Sequence, residues 1–198
     1  MKKYLAELIG TFALSFIVLL AVVAGTAPVA VPVIAGLTLV LFVYTIGPIS
    51  GCHINPAVTI AQLSVKKISP KEALLYIIAQ FLGAILAVVV AGYCQINAPA
   101  AAAVYSGKIF FAEMLGAFFF NFGIAAVVYG KAKEQMSGLV VGGSLLLGIL
   151  IASFVGSAGI LNPAVAEALN ARTVGYIFAP VVGAVLGFLA YRYVAGEK

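Results

Sequence analysis

Ser50-Gly51-Cys52-His53-Ile54-Asn55-Pro56-Ala57-Val58-Thr59 is echoed by Ser157-Ala158-Gly159-Ile160-Leu161-Asn162-Pro163-Ala164-Val165-Ala166. The two asparagines lie 107 residues apart, a little over half of the 198-residue chain. In both copies Asn-Pro-Ala reads as a helix start. Asn is a good N-cap, and Pro suits the first helical position, where its missing N–H has no partner to lose. Both stretches therefore predict a loop that becomes a helix at the asparagine. Around them the chain is 64% hydrophobic and only 9% charged, against roughly 25% charged in a soluble domain. Mean hydropathy is +1.20. A helix that starts inside a bilayer is tolerated only where it lines a cavity or is buried in protein. Two of them, in matching positions of two halves, point to a solute path near the midplane.

Working outward, six apolar spans are expected around these two half-helices: 4–24, 33–47, 70–93, 108–129, 137–155 and 173–194. Gly25 to Pro28 breaks the chain after the first span, and Gly47-Pro48 ends the second. The half-helices run from Asn55 to about Ser64 and from Asn162 to about Ala168. Ser69, Pro70 and Glu72 make a capped start for the third span. A loop with Pro99 and four alanines separates the halves. The glycines of the fifth span (Gly138, Gly142, Gly143, Gly148) allow close helix contact in lipid. The fold class is all-α membrane protein, a single transmembrane domain over 1–198 with repeat halves at about 1–95 and 108–198.

The halves repeat at more than the triplets. Ala6-Glu7-Leu8-Ile9-Gly10 matches Ala112-Glu113-Met114-Leu115-Gly116, and Tyr76 to Ala84 matches Tyr176 to Ala184. With both termini cytoplasmic, nine Lys and Arg fall inside and only Lys108 and Arg172 outside, a positive-inside bias that requires an even number of spans. Three spans per repeat then put the halves in opposite orientation. The +5 charge forms no cluster suited to nucleic acid. Cys52 and Cys94 show no CxxC spacing, and one histidine builds no usual metal site, so neither metal nor cofactor is expected. No nucleophile–base pair is visible and there is no aspartate, which speaks against an enzyme.

Each half-helix directs a partly positive N-terminus at the midplane. Asn55 and Asn162 can each cap with the side-chain oxygen and leave amide N–H groups facing the path. The loops before them, with Gly51 and Gly159, would present carbonyls. Glu7 and Glu113 are carboxyls inside apolar spans: either braces for the two loops or an ion site. The ring of His53 is expected to bond neighbouring backbone. Cys52, three residues before Asn55, is expected to line the path and react with mercurials.

These residues resemble the aquaporin family, the major intrinsic proteins. The resemblance rests on Ala6-Glu7 with Gly10-Thr11, on Ser50 to Thr59, on Ala79-Gln80 with Gly83, and on Asn162-Pro163-Ala164. It implies six tilted helices and two half-helices, a pore in every subunit, a homotetramer in the lipid bilayer, and passive conduction of water or small neutral solutes such as glycerol, urea or ammonia. Asn55, Pro56, Ala57, Asn162, Pro163 and Ala164 would form the constriction, braced by Glu7 and Glu113. Where the family usually has Arg after the second triplet, this chain has Val165. By the family's spacing the other filter positions are Ala35, Leu150 and Gly159. Plant vacuolar-membrane members also carry Val there; the Asp that follows Arg in glycerol channels is replaced by Ala166. An apolar ring is either narrow and dewetting or wide and open to larger neutral solutes, and the small Ala35 and Gly159 favour wide. A secondary transporter with an inverted repeat, using Glu7 or Glu113 as its ion site, and a closed structural member of the family are the alternatives.

Overall fold

The computed structural model describes residues 1–26, 30–97 and 106–197. Pro28, the alanine-rich loop around Pro99, and Lys198 lie outside the described residues. All regular structure within them is helical: α1 Lys2–Val23, α2 Ala30–Ser50, α3 Pro56–Ser64, α4 Pro70–Tyr93, α5 Gly107–Val128, α6 Ser137–Val155, α7 Pro163–Ala168, α8 Val174–Ile177 and α9 Ala179–Val194. Six stretches are long and apolar enough to cross a membrane, with α8 and α9 forming the last one together. The chain is thus a multi-pass integral membrane protein. The half-helices α3 and α7 lie between the spans.

Two expectations about element ends are corrected. α2 does not stop at Gly47-Pro48 but runs on to Ser50 with Pro48 inside. A proline in the last turn forfeits one i−4 bond, and Pro48 sits on the exposed side where its ring meets no neighbour in the core. The sixth span is not continuous: it is interrupted at Phe178, between α8 and α9. Pro180 supplies the cause, since it has no N–H to donate to the carbonyl of Tyr176. The cap of α4 is as expected, with Ser69 Oγ accepting from Glu72 N.

The two halves pack alike. α1 lies along α4, and α5 lies along α9. Both contacts depend on a glycine. A Cβ at Gly83 would collide with the carbonyl oxygen of Leu8, and one at Gly183 with that of Met114, the matched residue of the other repeat. Close backbone approach replaces the hydrophobic driving force that lipid removes. The halves are also crossed. α3 packs on α9, and α7 packs on α4 and α1, so each half-helix is held by the other half's last span.

Contacts among charged side chains collect on the face that carries both termini. Lys3 bonds Glu72 at the start of α4. Lys67 stacks over the Tyr129 ring at 4.5 Å. Lys131, after α5, pairs with Glu197 of the tail at 2.8 Å. These exposed pairs contribute little stability, because water and salt screen them. Their value here is geometric: they put the N-terminus, the α3–α4 turn, the α5–α6 turn and the C-terminal tail on one side. Arg172, beyond the end of α7, is joined by two hydrogen bonds of 2.7 Å to Glu167 in the last turn of that helix.

Candidate functional site

The loops before α3 and α7 are built on buried carboxylates. Glu7 is fully buried, and four donors converge on it. Oε1 accepts from Ser50 Oγ (2.7 Å) and His53 N (2.9 Å); Oε2 accepts from Ile54 N (2.6 Å) and Gln80 Nε2 (2.9 Å). Glu113, equally buried, accepts from Ser157 Oγ, Ile160 N (3.0 Å) and Leu161 N (2.7 Å). Backbone N–H groups that would otherwise be orphaned at membrane depth are satisfied in this way. Neither glutamate is among the residues lining the cavity that runs between the two loops.

The bonds hold a backbone that the residues would not choose. Ile54 has φ 37°, Leu161 φ 54° and Cys52 φ 51°. A left-handed conformation in a non-glycine residue costs on the order of 1–3 kcal/mol and persists only where its surroundings over-determine it. At Ile54 and Leu161 the N–H is tied to a glutamate and the carbonyl points across to the opposite half. Asn55 Nδ2 donates to Leu161 O, and Asn162 Nδ2 donates to Ile54 O, both at 3.0 Å. Each asparagine oxygen meanwhile caps its own helix, Asn55 Oδ1 from Ala57 N at 2.8 Å and Asn162 Oδ1 from Ala164 N at 3.0 Å. The cap fixes which amide atom is oxygen. Of the two hydrogens on each Nδ2, one is spent across the seam and the other remains for the cavity.

A cavity of about 380 Å3 runs from this asparagine pair towards the face away from the termini. Asn55, Asn162, His53, Ala35, Gly159 and Val165 all lie on its wall. Gly51, Pro56, Ala57, Pro163 and Ala164 do not; the prolines and alanines are buried in the first turns of α3 and α7. Two expected positions are not among its lining residues. Leu150 is not on the wall; the preceding residue, Ile149, is. Cys52 is also absent from it. The thiol is 5% exposed and turned into the packed interior by its left-handed backbone. His53 differs in its partner: Nδ1 lies 3.1 Å from Thr59 Oγ1, a side chain, and the ring meets Tyr76 edge-on at 5.1 Å. Sequence reasoning missed Ile149, Phe120 and Tyr176 on the wall. Only Tyr176 carried a signal, as the counterpart of Tyr76 in the repeat.

The halves differ in polarity behind the shared geometry. Around α3, Thr59 Oγ1 donates to Asn55 O (3.1 Å) and accepts from Gln80 Nε2 (2.9 Å). The matching positions around α7 are Ala166 and Pro180, and His53 is matched by Ile160. The first loop is wired by side-chain hydrogen bonds; the second is held by Glu113, Ser157 and apolar packing.

Six membrane-length helices around an internal cavity, with two half-helices meeting tip to tip at its inner end, define a channel whose path lies within one subunit. The chain belongs to the major intrinsic protein family, whose family model matches residues 1–191. Among relatives, it is 33% identical to Aquaporin AqpM of Methanothermobacter thermautotrophicus, over 99% of this chain and 98% of that protein. It is 36% identical to Glycerol uptake facilitator protein-like 6 of Lactiplantibacillus plantarum, over the full length of both. The X-ray structure of the aquaglyceroporin from Plasmodium falciparum shares the fold, with a TM-score of 0.72 over 96% of this chain and 93% of that one at 22% identity. The protein is accordingly a passive membrane channel of the kind that conducts water or small uncharged solutes.

Proposed function

We propose that this channel has a wide, uncharged filter and passes small neutral solutes, with glycerol and urea among them, as well as water. The observation that carries the reading is the wall of the cavity. Ala35, Ile149, Gly159 and Val165 meet it outward of the asparagine pair, and none brings a charge or a side-chain hydrogen-bonding group. A ring built partly from alanine and glycine leaves room that a cationic side chain would fill. The similarity to a protein named a glycerol uptake facilitator-like protein supports the same reading. Asn55 and Asn162 form the central constriction, with Pro56, Ala57, Pro163 and Ala164 as their helix starts. Glu7 and Glu113 brace the loops. A coupling-ion role for them is disfavoured, because both carboxylates are engaged by loop donors away from the cavity. The working unit is a homotetramer with a pore in each subunit, and the face with both termini is cytoplasmic.

Stopped-flow shrinkage of proteoliposomes tests the proposal, first with an impermeant osmolyte and then with glycerol and urea. Re-swelling in glycerol or urea above that of empty vesicles is the expected result. Fast water efflux with no re-swelling would show the filter closed to solutes. Absence of any flux above empty vesicles would refute the open channel.

A further inference from the structure

Besides the asparagine pair and His53, whose ring faces Thr59, one side chain on the cavity wall carries a hydrogen-bonding group: Tyr176, at the start of the last span. Its counterpart in the first repeat, Tyr76, is fully occupied. Tyr76 is buried, donates its hydroxyl to Ser50 O at 2.7 Å, and packs edge-on against His53 and Tyr4. Tyr176 shares none of this. It is half-buried, the matching loop residue to His53 is aliphatic Ile160, and its oxygen accepts only a long bond of 3.4 Å from Ala158 N. Among the described residues its hydroxyl proton has no acceptor. The bond to Ala158 sets the hydroxyl's height, because the next residue, Gly159, is a filter position. The donor therefore stands at the outer rim of an otherwise apolar ring.

We propose that Tyr176 is a specificity-determining residue: its hydroxyl donates to the oxygen of a hydroxyl- or carbonyl-bearing neutral solute as that solute enters the ring of Ala35, Ile149, Gly159 and Val165. This deepens the wide-filter reading and rests on it. The physical need is one-sided. A solute large enough to fill the ring leaves its waters behind and lays its apolar edge on Ile149 and Val165, so its oxygen must find a donor on the wall. Water does not depend on the tyrosine in the same way, since a cavity of about 380 Å3 admits neighbouring waters that supply each other's bonds. The hydroxyl thus favours alcohols and amides over water.

The test is the ratio of glycerol to water permeability in proteoliposomes of the wild type and Tyr176→Phe, with Tyr76→Phe as the matched control from the other repeat. Tyr176→Phe keeps the ring and the packing. The expected result is a glycerol permeability lower by about two- to tenfold with water permeability unchanged, the size of one lost hydrogen bond. In Tyr76→Phe, where the hydroxyl serves only the loop, water and glycerol should move together. An unchanged ratio in Tyr176→Phe beside clear wild-type glycerol flux would overturn the assignment alone. Water and glycerol falling in parallel in Tyr176→Phe would also overturn it, in favour of a packing role. Wild-type glycerol flux no greater than in empty vesicles would overturn the wide-filter reading, and the assignment with it.

Discussion

Replacing Gly159 with alanine tests the geometry of the filter directly. The residue has φ +68°, where an L-residue costs roughly 1–2 kcal/mol relative to glycine. The new Cβ would also stand 2.8 Å from Ile149 O, 2.9 Å from Ile149 Cγ2 and 3.0 Å from Ser153 Oγ. The first of these is helix backbone and cannot turn aside. Either α6 backs away or the loop moves, and Ile149, itself on the cavity wall, shifts with it. Overpacking of this kind costs about 1–3 kcal/mol, so the sum is roughly 2–5 kcal/mol. Two measurements check it: thermal aggregation of the purified protein in detergent, and glycerol and water permeability of proteoliposomes. The variant should unfold at lower temperature and lose glycerol flux more than water flux, because the ring narrows at one wall. Wild-type thermal stability with an unchanged solute ratio would refute the reasoning. It would mean that Gly159 is not clamped against α6. The left-handed conformation alone is not decisive, since the matching residue of the first repeat, Cys52, holds φ 51° with a side chain directed into the interior.

Other outcomes follow from the same contacts. Glu7→Gln leaves the amide able to accept from only one of the two backbone N–H groups, His53 or Ile54, that now bond separate oxygens. The orphaned donor costs about 1–3 kcal/mol; Glu113→Gln should lose a similar amount between Ile160 and Leu161, and either variant melting like the wild type would contradict the brace. Mercurials should label exposed Cys94 quickly and leave flux intact, because Cys52 is buried off the cavity wall; rapid block that disappears in Cys52→Ser would place the thiol on the path after all. The hydrogen bond and charge of Lys131 hold the Glu197 carboxyl below its usual pKa. A depressed carboxyl favours the folded arrangement above its unfolded pKa and loses that contribution as pH falls through the lowered value. The tail should therefore become more protease-sensitive in acid below the ordinary carboxylate range, and sensitivity independent of pH would argue against the tether.

How far the chain could be read follows from what each feature depends on. The half-helix starts were legible because Asn, Pro and Ser act locally, through capping and a fixed φ. The paired halves were legible because Glu7 and Glu113, and Gly83 and Gly183, recur in register. The left-handed Ile54 and Leu161 were not legible. Their backbone is imposed by a glutamate more than forty residues away, against local preference. The exchange of Leu150 for Ile149 has a simpler origin. At 3.6 residues per turn, an error of one residue rotates a side chain by about 100°, enough to move it off the cavity wall. Pro48 misled because a proline stops a helix in its middle but not in its last turn.

The reciprocal bonds between the asparagines and the carbonyls of Ile54 and Leu161 also bear on how the molecule is made. During synthesis the first loop precedes Asn162 by more than a hundred residues, so the carbonyl of Ile54 waits for its donor until most of the chain has emerged. The same interval leaves α3 without α9, its packing surface. The first half can insert its spans, but it cannot lock its own re-entrant segment. Closure of the seam therefore belongs to the last stage of biogenesis, and a chain truncated before residue 162 would leave an unsealed polar loop at membrane depth, the kind of lesion that membrane quality control can detect.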